Sequence, residues 1–591
     1  MNDDGSRDRR LQRVAAGSLA VGLAALAYII YNSLPCFFDD AYMFIRYAQN
    51  ILAGYGHAWN PGEGPAFGST SVTHLAVVTL MKLCLPGLPD AQLLLAASAI
   101  PTFVLLVVLV IGCGRLAEHP LLRGNYVLWG GLLVPAIVLQ EPLKYHLRSG
   151  MDTMLSALSN AVLILLTLWL VRRLRGGEIG DWGLGIGKEG GTKTDHSTPI
   201  PNPQSRIPSS RAPYGLLAAV VAAAYFTYLT RPDNGIYATL FPAMCILLLG
   251  SGPRRKMLAA FALSMLAVLA LDLLAKRLLL GTALPLPFYA KQHGAYEGYA
   301  GVSIWNPIVL MRIFFWGMMP FLCVIVFLFQ RRNAAMLAAF FVPVGLTFAY
   351  YFTVNQIMGF EARFYYPSLP FFAVAAAVTL DRWLVARQGR ALLSPSELVV
   401  RLIVLFLVIF GGRQLTFSTY LWYDRLMAEE LAGPSSRQYE TIAAEELPPP
   451  RFLDALSDLA WIAKNSPPRT KIALSEYGQI GAAAPEAVLV DVVGLHDKEF
   501  ALEGFSAERL FARKPDLIWF PHYHYTKMIR DVLDSDEFWE EYLYYPRAFI
   551  FGLAIRKDSP HFEEISALVK DRWELNYEGL RMEDYLARPL P

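Results

Sequence analysis

Two adjacent carboxylates, Asp39 and Asp40, directly follow the first long apolar segment of the chain. Carboxylates beside a hydrocarbon span are costly to desolvate, so their presence there favours a chemical use. On a helix that begins at Asp39, residues three, four and seven positions apart share a face. Arg46 therefore lies on the same face as Asp39, whereas Asp40 lies on the neighbouring face. Either carboxylate could then orient or deprotonate a nucleophile. The alternative is that Asp39 is a helix N-cap and Arg46 a surface charge.

Three cations stand in polar loops predicted to lie on the same side of a membrane as the carboxylates. They are Arg231 in the sequence TRPDN, Lys291 in FYAKQH and Arg363 in EARFYYP, where Tyr365 adds a hydroxyl. A leaving phosphate needs positive charge around it, and an arginine fork binds two oxygens at once. Arg231, Lys291, Arg363 and Tyr365 are therefore predicted to bind the phosphate.

Each of these cations also has a structural alternative. Arg231 could pair with Asp233, Lys291 could extend to lipid headgroups, and Arg363 could balance Glu361.

Other polar and aromatic side chains of the same loops are candidates for binding a sugar or an acceptor. An aromatic ring can stack on the CH face of a sugar, and amide, carboxylate, imidazole and guanidinium groups bind hydroxyls. The alternative for the stretch from Asn60 to Gly62 is that Pro61 and Gly62 simply make a turn. The candidates are Arg46, His57, Trp59, Asn60, Glu63, His146 and Asp152.

The composition indicates a polytopic membrane protein. Of 591 residues, 54% are hydrophobic and only 17% charged, and the mean hydropathy is +0.35. A net charge of +2 argues against a nucleic-acid partner. The five cysteines show no CxxC or metal spacing, so no disulfide framework or metal site is predicted from them.

Basic residues flank membrane spans on the cytoplasmic side, and this rule predicts eleven transmembrane helices. The first is retained because it lacks a small-residue cleavage site. The apolar piece at 70–85 is short, and a crossing there would put later basic clusters on the wrong side, so it is predicted to be interfacial or re-entrant. The predicted spans lie at about 14–34, 90–113, 124–141, 151–171, 213–230, 257–279, 334–354 and 399–416, with a sixth that returns to Arg254, an eighth that ends at Arg331 and a tenth that ends near Arg382 and Arg387.

The domain organisation follows from this count. Residues 1–416 form a predicted transmembrane catalytic domain, with a first extracytoplasmic loop at 35–89 and a disordered cytoplasmic loop rich in Gly, Pro and Ser at 176–211. Eleven is odd, so residues 417–591 lie outside. Short apolar runs separated by helical patterns predict that this region is an α/β domain.

The stretch from Asp39 to Glu63 and the following GSTS resemble the first extracytoplasmic loop of GT-C membrane glycosyltransferases. The resemblance is closest to the terminal arabinofuranosyltransferases of mycobacterial cell-wall arabinan. The three cation motifs match this class in register, and LSEYGQIG and LVDVVGLHD resemble its soluble domain. Two departures stand out: Asp152 replaces the usual Glu of an SGMET-like turn, and residues 64–67 lack an acid common in relatives.

The resemblance implies a GT-C fold at a bacterial plasma membrane, with the active site facing the periplasm. It implies transfer of a sugar, arabinofuranose for this group, from a polyprenyl-phosphate donor to a cell-envelope glycan, lipid or protein, with Asp39 or Asp40 at the reaction centre. Some members bind a divalent cation at the loop acids, so a metal is left open, and no other cofactor is implied. The alternatives are a lipid or glycan transporter or flippase, for which the charge-poor spans give little support, and a non-catalytic surface receptor.

Overall fold

The structure is a computed structural model that describes residues 4–33, 38–175, 213–250, 253–293, 307–354, 356, 359–388, 394–426, 438–443 and 447–590. The predicted disordered loop at 176–211 lies outside the described residues. So do the first three residues of the predicted first loop, 35–37.

Up to residue 426, all regular secondary structure of the described residues is helical. Helices satisfy their own backbone hydrogen bonds, which a lipid environment requires. The helices are α1 (Asp4–Tyr31), α2 (Asp39–Leu52), α3 (Val72–Cys84), α4 (Asp90–Leu116), α5 (Tyr126–Val138), α6 (Glu141–Arg148), α7 (Thr153–Leu174), α8 (Tyr214–Thr230), α9 (Gly235–Leu249), α10 (Arg254–Leu280), α11 (Leu286–Gln292), α12 (Pro307–Phe327), α13 (Ala334–Tyr351), α14 (Leu369–Arg387) and α15 (Pro395–Leu426).

Nine helices of the described chain are long and apolar enough to cross a membrane, and a tenth span results if α5 and α6 are counted together. Every one of the eleven predicted segments contains a helix. The third predicted span, however, corresponds to α5 and α6, which are bent by 79° relative to each other. The fifth predicted span corresponds to α8, whose 17 residues extend over only about 26 Å. Helix α3, at the predicted interfacial stretch, has 13 residues and is too short to cross a hydrocarbon core of about 30 Å.

The C-terminal region is built on a five-stranded sheet with strand order β3-β2-β4-β6-β5. β2 pairs in parallel with β3 and β4, whereas β6 is antiparallel to both β4 and β5. The elements are β1 (Tyr439–Glu440), α16 (Phe452–Asn465), β2 (Lys471–Leu474), α17 (Gly478–Ala483), β3 (Val488–Asp491), α18 (Lys498–Glu503), α19 (Ala507–Ala512), β4 (Leu517–Trp519), α20 (Thr526–Leu533), α21 (Asp536–Glu541), β5 (Tyr542–Tyr545), β6 (Leu553–Arg556), α22 (Phe562–Asn576) and β7 (Arg588–Pro589). β1 and β7 form a separate antiparallel pair.

The apolar core of this α/β region continues into the polar stretch that follows α1. Phe44 and Tyr47 of α2 and Trp59 of the following loop are buried in the same cluster as Ile472 and Leu489 of the sheet. A second core lies inside the helical bundle. Helix α2 is therefore packed against the α/β region, and this packing decides which of its side chains face the bundle.

Candidate active site

A cavity of about 770 Å³ lies between the helical bundle and the α/β region. Four of the predicted chemical residues line it: Asp40, Arg231, Lys291 and Arg363. They come from α2, from the junction of α8 and α9, from α11, and from the turn before α14. The fold therefore brings together residues that are more than 300 positions apart in the chain.

Asp39 is held by the α/β region and does not line this cavity. Its carboxylate accepts hydrogen bonds from the backbone N–H groups of Gly478 (2.9 Å) and Gln479 (2.7 Å), where α17 begins. Burial raises the pKa of Asp39 to about 6, against the lowering effect of the Gln479 amide; the charge of Asp40 adds to the rise. Asp39 thus joins α2 to α17.

Asp40, by contrast, lines the cavity, and its carboxylate accepts no hydrogen bond from any described residue. Burial raises the pKa of Asp40 from its ordinary value, while the positive charges of Arg363 and Lys291 oppose the rise. A carboxylate with lone pairs to spare and a raised pKa is suited to accept a proton.

Arg231 is fixed by a bidentate ion pair with Asp233. Its Nε and Nη2 donate to the two carboxylate oxygens at 3.1 and 2.8 Å, and the Tyr351 hydroxyl donates to the same carboxylate at 2.7 Å. Burial alone would lower the pKa of Arg231, but Asp233 and Asp152 raise it above its ordinary value. The pairing predicted as the structural alternative is present, and Arg231 still reaches the cavity wall.

Asp152 lies behind the two arginines and holds them side by side. One of its carboxylate oxygens is 3.4 Å from Nη1 of Arg231 and 3.4 Å from Nη2 of Arg363. The residue is 1% exposed and does not line the cavity. Its position fits a role in aligning two guanidinium groups and gives no route to the sugar contact predicted for it.

Lys291 reaches the cavity from α11, whose start is fixed to the first loop. The backbone N–H of Leu286 donates to the carbonyl oxygen of Phe67 at 2.7 Å. The protein surrounding the ammonium removes much of its water and lowers the pKa of Lys291 to about 8, and the nearby arginines add to this effect. Lys291 therefore loses its charge within an accessible pH range.

Three other predicted residues make hydrogen bonds within the protein and do not line this cavity. The Tyr365 hydroxyl donates to the Pro307 carbonyl (3.1 Å) and accepts from Gln356, so the structure does not bring Tyr365 to the phosphate-binding group. The ring nitrogens of His57 contact the Ala66 carbonyl and the Ser69 hydroxyl. His146 contacts the Glu361 carbonyl through Nε2.

The remaining predicted sugar-binding residues join the first loop to the α/β region. Arg46 is buried and uses all five of its N–H groups, whose acceptors are Trp59 O, Asn60 Oδ1, Gly481 O, Ala484 O and Ala487 O. The Asn60 amide donates to Glu63 and to the Leu489 carbonyl. Trp59 is buried under this network. No N–H of Arg46 is left for a sugar.

Several residues of the cavity wall were not predicted: Asp233, Tyr351, Gln356, Tyr477 and His496. Asp233 stands inside the TRPDN motif and could have been found from its pairing with Arg231. Tyr477 and His496 stand in LSEYGQIG and LVDVVGLHD, the two stretches quoted for their resemblance. Tyr351 ends an apolar helix and carries no local signal.

The cavity residues do not fit a divalent cation. Among the described residues, two carboxylates line the cavity, Asp40 and Asp233, and Asp233 is already bound by Arg231 and Tyr351. Glu476 does not line the cavity; burial, together with the charges of Asp39 and Asp40, raises the pKa of its carboxyl to about 8. Within the part of the chain that the structure describes, no group of three or more His, Cys, Asp or Glu is arranged to hold a metal.

No protein-family model and no curated protein matches the sequence. Among solved structures, the apo oligosaccharyltransferase of Archaeoglobus fulgidus is 13% identical, covering 91% of this chain and 74% of its own, with a TM-score of 0.45. Apo ArnT from Cupriavidus metallidurans is 12% identical over 91% of this chain and 98% of its own, with a TM-score of 0.46. ArnT bound to undecaprenyl phosphate is 14% identical over 82% and 88%, also at 0.46.

The helices and the sheet define the class of protein: a polytopic α-helical membrane protein with a C-terminal α/β region. A cavity lined by three cations and two carboxylates lies where the two parts meet.

Proposed function

We propose that this chain is a GT-C glycosyltransferase that moves one sugar from a polyprenyl phosphate to a hydroxyl group of an envelope acceptor. The observation that carries the proposal is the presence of Asp40 in the same cavity as Arg231, Lys291 and Arg363. A carboxylate able to take a proton and a cluster of cations able to hold a phosphate are the two requirements of such a transfer.

In this mechanism the cations hold the phosphate that becomes the leaving group. Arg363 and Arg231, aligned by Asp152, supply fixed N–H donors, and Lys291 adds a compact charge. The acceptor oxygen forms a bond to the anomeric carbon as the bond from that carbon to the phosphate oxygen breaks. The acceptor proton passes to Asp40, and polyprenyl phosphate departs with the bonding electrons.

The proposal extends to location and sugar. The four residues lie in segments that the charge rule predicts outside, so the reaction takes place at the periplasmic face of a bacterial plasma membrane. Arabinofuranose is the sugar that the sequence resemblance favours, with a cell-envelope glycan as acceptor. Residues 1–416 form the catalytic domain in this proposal, and residues 417–591 lie on the same side as the cavity.

The transporter alternative has no specific observation in its favour. Asp272, a carboxylate inside α10, is paired with Lys276 of the same helix at 2.7 Å and accepts a hydrogen bond from the Tyr225 hydroxyl of α8 at 2.8 Å. A charge neutralised in this way serves to hold α8 and α10 together.

The test is transfer by purified protein in proteoliposomes, with a panel of radiolabelled polyprenyl-phosphate sugars as donors and envelope extract as acceptor. Asp40→Asn keeps the shape of the side chain and removes the base, so transfer should fall at least about a hundredfold. Binding of labelled polyprenyl phosphate should persist, because the cations are untouched.

Asp39→Asn is the matched control one residue away. An amide offers one oxygen in place of two to Gly478 and Gln479, so this variant should melt at a lower temperature while retaining transfer per folded molecule. Wild-type transfer by Asp40→Asn would disprove the proposed base. If the wild-type protein transfers sugar from none of the donors in the panel, the proposed function itself is rejected.

A further inference from the structure

A second cavity of about 430 Å³ lies beside the first, on the side of the α/β region. One wall is the first loop, from Trp59 to Ala66, and the other is α18 with the turn before it and Arg513 after α19. Nothing in the mechanism above uses this cavity. Its position between the first loop and the α/β region gives it access to solvent outside the bundle.

The two cavities share one wall residue, His496. Its ring stacks on Trp59 with centroids 4.0 Å apart, and its Nδ1 is 3.0 Å from the Tyr47 hydroxyl. The residue is 2% exposed, and its Nε2 is buried with no hydrogen-bond partner among the residues that the structure describes. A buried polar atom without a partner is costly, which points to a ligand group at this position.

The loop that carries His496 is fixed in place. The Asp491 carboxylate accepts from the backbone N–H of His496 at 2.7 Å and from Val493 at 2.9 Å. Opposite it, a side chain at Gly68 would place its Cβ 2.1 Å from Nδ1 of the ring, so only glycine fits. The imidazole is thereby held at the junction of the two cavities.

The charges of the two cavities differ in sign. The first is lined by three cations and two carboxylates. The second is lined by two cations and four carboxylates, from Glu63, Asp497, Glu499, Glu503, Lys498 and Arg513. Moreover, Arg513 is engaged by Asp497 at 3.1 Å and Glu499 at 2.6 Å. An anionic ligand would be repelled there, whereas hydroxyl groups would find many hydrogen-bond acceptors.

We propose, resting on the proposed function, that the second cavity is the acceptor subsite and takes a neutral, hydroxyl-rich glycan. The acceptor chain occupies this cavity, and the hydroxyl group that is to be glycosylated passes His496 to reach Asp40 in the first cavity. Nε2 of His496 bonds a hydroxyl of the acceptor in either tautomer, since a hydroxyl both donates and accepts. His496 is a positioning residue in this scheme and takes no proton from the reaction.

The first experiment asks which acceptors are used. Envelope material from the source organism is separated by anion exchange into neutral and anionic pools, and each pool is offered to the proteoliposomes with the radiolabelled donor. The label should enter the neutral pool. Label confined to the anionic pool, with phosphorylated or carboxylated acceptors, would overturn the assignment.

The second experiment blocks the cavity with Leu502→Trp on α18, where the side chain lines the second cavity and is absent from the first. The acceptor KM should rise at least about tenfold while the donor KM stays within about twofold. The matched control is Leu575→Trp on α22, an exposed leucine that lines neither cavity, which should change neither constant.

His496→Gln keeps a hydrogen-bonding group and should raise the acceptor KM less than His496→Ala does. An unchanged acceptor KM in Leu502→Trp, with the wild-type protein active, would overturn the acceptor subsite and leave the proposed function standing. Absence of transfer by wild-type protein would instead reject the function on which the inference depends.

Discussion

The side chain of Lys291 gives the cavity a titratable cation beside the guanidinium groups of Arg231 and Arg363. Its pKa, lowered to about 8 by loss of water around the ammonium, means that the charge disappears as the pH rises through 8. Donor kcat/KM should therefore fall on the alkaline side. On the acid side it should fall as Asp40 gains a proton, at a pH above the ordinary value for an aspartate, because burial raises the pKa of Asp40.

Lys291→Arg should remove the alkaline limb and leave the acid limb, because arginine keeps its charge. The measurement is donor kcat/KM between pH 5 and pH 10 for both proteins. A wild-type alkaline limb that persists unchanged in Lys291→Arg would show that another group causes it.

Asp152 holds the guanidinium groups of two arginines next to each other. Its single oxygen contacts both Arg231 and Arg363, so Asp152→Asn removes the negative charge between two positive ones. The arginines should separate, and the donor KM should rise about tenfold. The acceptor KM should not change, and a matching rise in both constants would instead indicate general loss of structure.

Arg46 joins two secondary-structure regions: α2 with the first loop on one side, and α17 with the turn that follows it on the other. Its guanidinium satisfies four buried carbonyl groups and one amide oxygen, and lysine has three N–H groups on a single atom. Arg46→Lys should lower stability by about 3 kcal/mol, because buried carbonyls lose their donors. The measurement is the melting temperature in detergent.

The matched control is Arg451→Lys, an arginine that is 87% exposed in its side chain and paired with Asp454 on the surface. Surface ion pairs contribute between 0 and about 1 kcal/mol to the free energy of unfolding. The Arg451→Lys variant should therefore have the same melting temperature as the wild type. If Arg46→Lys and Arg451→Lys have the same melting temperature, Arg46 does not stabilise the contact between α2 and the α/β region.

The first cavity of the molecule exists because the α/β region packs against α2. Gly478 approaches Asp39 so closely that an added Cβ would lie 1.9 Å from the Asp39 carbonyl oxygen. Gly478→Ala should push α17 away from α2, lower stability by about 1–3 kcal/mol, and reduce transfer as Tyr477 leaves the cavity wall.

Gly87→Ala is the control for this prediction, since a Cβ at Gly87 meets nothing within 4 Å. Its melting temperature and transfer rate should equal those of the wild type. If Gly478→Ala behaves in the same way, the close contact between the two parts does not shape the cavity.

The class of protein and a group of candidate site residues could be recognised from local features of the sequence. Membrane helices are recognisable because an apolar run of sufficient length is a local property, and all eleven predicted segments contain helices. Asp40 and the three cations were candidates because charges beside apolar spans are costly and therefore conspicuous.

Which of these candidates reaches the cavity depends on tertiary packing and could not be predicted from local sequence. Asp39 and Asp40 are neighbours in sequence, yet one is held by amides 439 and 440 residues away and the other faces the cations. Arg46 and Tyr365 have their polar atoms bound by partners distant in the chain or hidden in the bundle. Whether a polar side chain binds the protein or a ligand depends on which acceptors folding brings within about 3 Å, and that distance is set by packing between remote segments.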